Sequence, residues 1–153
     1  MFFSDPVEAF GRLRTALTPG GTLRAIVWRT PEDNPFMTTA ERAAAPLVAG
    51  LPARRADGSG QFAFADPRKV EGILVASGWK GIDIQPLAVA CALPTAELER
   101  YMTRLGPLGQ VLPEVAEPTR TKVVQAVRAA FEPFVAGHEV RYTAACWLIG
   151  ARR

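Results

Sequence analysis

The stretch Leu17-Thr18-Pro19-Gly20-Gly21-Thr22-Leu23-Arg24-Ala25-Ile26-Val27-Trp28 decides how this chain is read. Proline cannot continue a helix, and two glycines permit a sharp reversal. The seven residues that follow, TLRAIVW, are β-branched and largely apolar. Such a run reads as a strand buried on both faces, in a parallel or central position. Upstream, Asp5-Pro6-Val7-Glu8 has the form of a helix start, with a capping carboxylate, proline at the first helical position and an acid three residues after the cap. Val7, Phe10, Leu13 and Leu17 recur at helical spacing and predict one buried stripe.

Downstream the pattern alternates. Residues 29–60 carry Pro31, Pro35, Pro46, Pro52 and Asp57-Gly58-Ser59-Gly60, which mark a long excursion. A short alanine-rich helix is expected inside it, from Thr38 or Thr39 to Val48. An excursion of this length in a compact domain is often a lid or binding loop. Asp66-Pro67 starts a further helix with Val70, Ile73, Leu74 and Ser77 on its core face, ended by Gly78. Residues 82–93 alternate like a strand, and Pro86 within them demands an edge or a bulge. A helical insertion is expected over 95–135, interrupted at Gly106-Pro107, with Val123, Val127, Ala130, Phe131 and Phe134 as its clearest stripe. A long strand over 140–151 follows. The fold class is therefore α/β, with three strands and crossover helices around one core.

Bulk composition fits a globular protein: 48% hydrophobic, 22% charged, formal net charge +3. No run approaches the ~20 apolar residues of a membrane span, and no basic-then-apolar export signal is present. Cys91 and Cys146 have no ligand spacing around them, so reduced thiols in a cytoplasmic protein are expected. The basic residues are scattered, with arginine far outnumbering lysine. Nucleic-acid binders concentrate such charge in a stripe, so a solvated surface is expected, with neither nucleic acid nor membrane as partner. His138, the single histidine, lies in the polar turn Ala136-Gly137-His138-Glu139 and reads as a solvent-exposed turn residue. One histidine and two distant cysteines make no zinc pattern. Glu97, Glu99 and Arg100 read as a solvated helix face.

The segment from Met1 to Arg29, with its Leu17–Leu23 turn of the form L-x-P-G-G-x-L, resembles the middle of the class I S-adenosylmethionine-dependent methyltransferases. There a helix leads through this turn into the fifth strand of a seven-stranded sheet. FAFADPRKVEGILVASGWKGIDIQPL, residues 62–87, resembles the family's next helix and sixth strand. The end of the chain, WLIGARR, resembles the seventh strand, antiparallel between the fifth and sixth. The resemblance implies a partial doubly wound (Rossmann-like) sheet whose last strand is antiparallel. It also implies methyl transfer to a small-molecule acceptor, with S-adenosylmethionine as cofactor.

The family's glycine-rich cofactor loop and the acid that holds the ribose are missing from this sequence. Gly20-Gly21 and Gly58-Ser59-Gly60 lack the strand–loop–helix context such a loop needs. The apolar start Met1-Phe2-Phe3 reads like the middle of a domain, so the chain is expected to be the C-terminal part of something larger. Alone it would lack the main cofactor site and would be inactive. By position in the family fold, Met1, Phe2 and Phe3 fall near the cofactor. Trp28 and Arg29 fall at the ligand end of the fifth strand, and Asn34, Phe36 and Met37 over an acceptor. Taken singly, Trp28 reads as core packing, Phe36 as a loop anchor and Arg29 as a surface arginine. With the family's fourth strand absent, Thr22–Val27 would present an open edge for self-association. Two other functions are open: an interaction module pairing through that edge, and a binder of small apolar ligands using Phe36, Phe62, Phe64 and Trp79.

Overall fold

The computed structural model describes residues 3–52 and 60–153. Asp5 opens helix α1 (Pro6–Ala16), its carboxylate accepting from the Glu8 backbone N–H at 2.9 Å. The turn that follows closes with the Gly21 N–H donating to the Thr18 carbonyl at 3.0 Å. Gly20 sits at φ 80°, and a Cβ on Gly21 would lie 2.9 Å from that of Leu17. Both glycines are therefore demanded, one by conformation and one by close approach. Strand β1 (Thr22–Trp28) then runs as its composition predicts. Helix α2 (Phe36–Ala44) falls inside the excursion, starting two or three residues earlier than expected and ending before the expected Val48. Asp66 caps α3 (Pro67–Ala76) by accepting from the Arg68 N–H at 2.9 Å.

Strand β2 (Lys80–Pro94) is followed by a 3-10 turn and by α4 (Leu98–Arg104) and α5 (Gly106–Val111). Leu105 is extended and Gly106 has φ 69°, so the Gly106-Pro107 interruption divides the expected long helix into two. Helix α6 (Glu117–Phe131), the short strand β3 (Val135–Ala136) and strand β4 (Glu139–Arg152) complete the chain.

The architecture is mixed α/β, with helices and an open antiparallel sheet of four strands. The strand order is β1-β4-β2, with β3 as a short addition to β4. Strand β4 pairs antiparallel with β1 in an unbroken register from Thr22↔Arg152 to Trp28↔Cys146. Strand β2 ends this order, a position that suits Pro86 because an edge strand can spare a backbone donor. Strand β3 was not foreseen. It forms a hairpin with β4 (Val135↔Val140) around Gly137, which has φ 62°.

Two compact units replace the single core expected. The first comprises Met1–Asp33, Arg55–Val89 and Ala144–Arg153. Its core gathers Phe10, Val27, Phe64, Val70, Leu74, Trp79 and Ile149. The Trp79 indole N–H donates to the Phe10 carbonyl at 3.1 Å, tying the α3–β2 connection to α1. Leu23, Ala25 and Val27 face this core, but Ile26 on the opposite face is 60% exposed. Strand β1 is thus covered on one face in this unit, where its composition predicts two. Of the expected stripe, Phe10 in α1 and Leu17 just after it join the core while Val7 and Leu13 are exposed, so the stripe is half realised. Arg153 is no solvated terminal charge: its N–H donates to the Gly21 carbonyl at 2.8 Å, and its guanidinium to the Leu17 carbonyl.

The second unit comprises Asn34–Arg54 and Ala90–Thr143. Its core is helical, built from Leu98 and Met102 of α4, Leu108 of α5, Val123, Val127 and Phe131 of α6, and Val140. Val123, Val127 and Phe131 of the expected α6 stripe are buried, with Phe134 packed against them just beyond the helix, and α2 packs against α6. Arg120 donates to the Pro113 and Val115 carbonyls at 3.0 Å each, which fixes the turn before α6. Leu105 is 59% exposed because the chain breaks from helix at that residue.

Candidate functional site

Trp28 and Arg29 end β1 in the first unit. The Arg29 N–H extends the ladder by donating to the Ala145 carbonyl at 3.0 Å. Its guanidinium donates to Asp33 Oδ2 at 3.1 Å and lies 4.9 Å from the centroid of the Trp147 ring. The Thr30 hydroxyl also donates to Asp33, at 3.2 Å, and accepts from the Asp33 N–H. A cation engaged by a carboxylate and an aromatic face serves first to shape the turn after β1. Phe3 is half-exposed and meets Phe10 edge-on at 6.2 Å. It lines a shallow groove of ≈ 270 Å³ with Ser4, Asp5, Glu8, Ala9 and Arg12. Met1 and Phe2, and the Gly58-Ser59 part of the second glycine cluster, lie outside the described residues.

Neither the Gly20-Gly21 turn nor the groove beside Phe3 has a lining that fits S-adenosylmethionine. Gly20 and Gly21 are occupied in closing the α1–β1 turn, which Arg153 covers. The groove beside Phe3 offers the Asp5 and Glu8 carboxylates, of which Asp5 is already accepting a helix N–H and Glu8 pairs with Arg12.

Asn34, Phe36 and Met37 belong to the second unit and are assembled with partners that composition did not reveal. Asn34 is fully buried, and its carbonyl accepts from the Met37 N–H at 3.0 Å. The Pro35 carbonyl accepts from the Thr38 N–H and from both the Thr38 and Thr39 hydroxyls, at 2.9–3.0 Å. This knot starts α2 without a side-chain cap. Buried Phe36 stacks on Tyr142 of β4, centroids 3.9 Å apart and planes inclined by 24°. Burial raises the Tyr142 pKa, and the nearby Cys91 thiol raises it further. Burial likewise raises that of Tyr101 in α4, with Tyr142 as the second cause. The Cys91 thiol and the Tyr101 phenol are thus near the Tyr142 member of the stacked pair.

Tyr101 also lines an open cleft of ≈ 390 Å³ with Leu93, Glu97, Arg100, Arg104 and Leu105. The α4 members recur at three-to-four spacing, one helix face, beside Leu93 at the end of β2. Part of this face was expected to be merely solvated. The signal for it was the apolar–polar mixture Tyr101, Arg104 and Leu105, which breaks an otherwise charged stripe. Tyr142 carried no local signal, since its partners come from β2, α2 and α4.

On the first unit, Thr22, Arg24, Gly81, Asp83, Gly150, Ala151 and Arg152 line a smaller cleft of ≈ 150 Å³. Arg24 lies across Gly150, where any Cβ would collide with its guanidinium. Of the rings expected for an apolar-ligand binder, Phe64 and Trp79 are core residues of the first unit, and Phe36 stacks on Tyr142 in the second. Among the described residues, no group of three or more His, Cys, Asp or Glu side chains is placed to hold a metal. No described helix is long and apolar enough to cross a membrane. No family model matches this sequence, and no curated protein matches it either.

Proposed function

We propose that this chain is the acceptor-side part of a class I S-adenosylmethionine-dependent methyltransferase acting on a small molecule in the cytoplasm. The observation that carries the reading is the strand order: β4, last in the chain, lies between β1 and β2 and runs antiparallel to β1. A strand that arrives last yet enters between two earlier ones is an uncommon topology, because sequential elements tend to be neighbours. It is the order the resemblance requires for the fifth, seventh and sixth strands. The Leu17–Leu23 turn stands in its expected place before β1.

In this reading, polypeptide bearing the glycine-rich loop lies along the outer edge of β1 and supplies the cofactor site. Methyl transfer asks mainly for alignment of acceptor and methyl group. The buried Asn34–Met37 knot and the Phe36–Tyr142 stack give the second unit a rigid wall for that purpose. Residues 1–153 alone should show no micromolar binding of S-adenosylmethionine by calorimetry. An antibody to α6 should instead capture, from the native source, a species that photo-crosslinks to radiolabelled S-adenosylmethionine. Absence of label from every captured species would overturn the assignment.

The open flank of β1 favours a second reading, self-association through Thr22–Val27. Among the described residues, strand β1 has a neighbour on one side only, and Ile26 is 60% exposed. Sedimentation of residues 1–153 as a monomer at high micromolar concentration would dismiss it.

A further inference from the structure

We propose that the cleft on α4 binds an amphipathic organic anion: a hydrocarbon or aromatic body lying on Leu93, Tyr101 and Leu105, with its anionic end at Arg104 and Arg100. The inference deepens the methyltransferase reading by naming the class of acceptor, and rests on it for that role only; the binding stands independently. At ≈ 390 Å³ the cleft has the size of a small-molecule site, commonly about 300–1,000 Å³.

Its floor is apolar, formed by Leu93 and the half-buried ring of Tyr101, both packed against the helical core. Leu105 extends that floor to the rim and is 59% exposed. The charges at the rim are unequal. Arg100 is held loosely by Glu97 at 3.7 Å, between two well-exposed side chains, and contributes little to stability. Among the described residues no carboxylate pairs with Arg104, whereas Arg128 and Arg120 pair with Glu99 and Glu117. The lining therefore carries one net positive charge above an apolar bed, which complements a single anion on an apolar body. A guanidinium binds a carboxylate or phosphate through parallel N–H donors. Tyr101 adds a phenol whose O–H can donate.

Decanoate is the probe, with decanol and decylammonium as its neutral and cationic counterparts. Calorimetry on residues 1–153 should show saturable one-site binding of decanoate, with NMR shifts centred on Tyr101 and Leu105. Arg104→Gln should weaken it about tenfold or more, Leu105→Ser should weaken decanoate and decanol alike, and Arg128→Gln should leave it unchanged. Both principal variants alter exposed side chains and should fold normally. Decanol binding as tightly as decanoate, an Arg104→Gln variant with unchanged affinity, or no saturable decanoate binding would each overturn the inference. Cofactor labelling plays no part in this readout, so either reading can fail without the other.

Discussion

Gly109, in the middle of α5, offers a test in which propensity and packing predict opposite signs. An alanine in a helix interior is ordinarily favoured over glycine by about 1 kcal/mol. Here, however, a Cβ would stand 2.5 Å from the Arg104 carbonyl carbon, 2.7 Å from its oxygen and 3.0 Å from its Cα. These are backbone atoms, which cannot rotate aside. Restoring normal contact requires the corner between α4 and α5 to open by roughly 1 Å. Overpacking of this kind costs about 1–3 kcal/mol, so Gly109→Ala should destabilise the second unit by about 1–2 kcal/mol net.

The chain carries its own reporters for the measurement. Trp28, Trp79 and Trp147 all lie in the first unit, while Tyr101 and Tyr142 lie in the second. Urea titration followed through the tyrosine ring resonances should therefore show a lower midpoint for Gly109→Ala than for wild type. Gly150→Ala is the control. Its Cβ would also collide, but with the end of the exposed Arg24 side chain, which can swing away. That variant should stay within about 0.5 kcal/mol of wild type by tryptophan fluorescence. If Gly109→Ala proves as stable as wild type, or less damaging than Gly150→Ala, the packing argument is refuted.

Arg153→Ala removes the guanidinium from the Leu17 carbonyl and should lower stability by about 1 kcal/mol in the tryptophan signal; an unchanged midpoint would show that the turn needs no such cover. Trp79→Phe removes the indole N–H that donates to the Phe10 carbonyl at 3.1 Å; that carbonyl lies inside α1 and keeps its helical donor, so the loss should cost about 1 kcal/mol, read by Trp28 and Trp147 fluorescence. The Tyr101 phenol is raised above the ordinary 10.0, first by burial and then by Tyr142. Its neutral form is favoured by folding, so its contribution is intact below that ordinary value and is lost as pH rises through the raised one. Stability should therefore fall as pH rises past the ordinary 10.0 and through the raised value, less steeply in Tyr101→Phe; equal slopes would count against a buried phenol.

Local chemistry made the helix starts and β1 legible. Asp5-Pro6 and Asp66-Pro67 carry cap and proline side by side, and each carboxylate accepts the N–H expected of it. The α2 start was displaced because Pro35 holds Thr38 and Thr39 through its carbonyl, with no capping side chain to see. Depth of burial was harder to read. Ile26, Leu13 and Leu105 have core-like composition, but exposure depends on what lies over a face, which spacing does not encode. Among the site residues, Asn34 and Phe36 could be picked out by their neighbourhood, whereas Tyr142 meets Phe36 across more than 100 positions of chain. Arg29 reads from sequence as a surface arginine, and its partners Asp33 and Trp147 carry no signal for it, because they engage it only after the turn and β4 have formed.

The placing of β4 between β1 and β2 bears on the kinetics of folding. Thr22 cannot find its ladder partner until Arg152 has been delivered, so the first unit is dominated by contacts of high sequence separation, a topology that folds slowly. Meanwhile both flanks of an apolar strand stand unsatisfied, and collisions between nascent or refolding molecules compete with the late insertion. Yield on refolding should thus fall with protein concentration, and any lesion that delays or deletes residues 144–152 should strand β1 and β2 without the member that joins them.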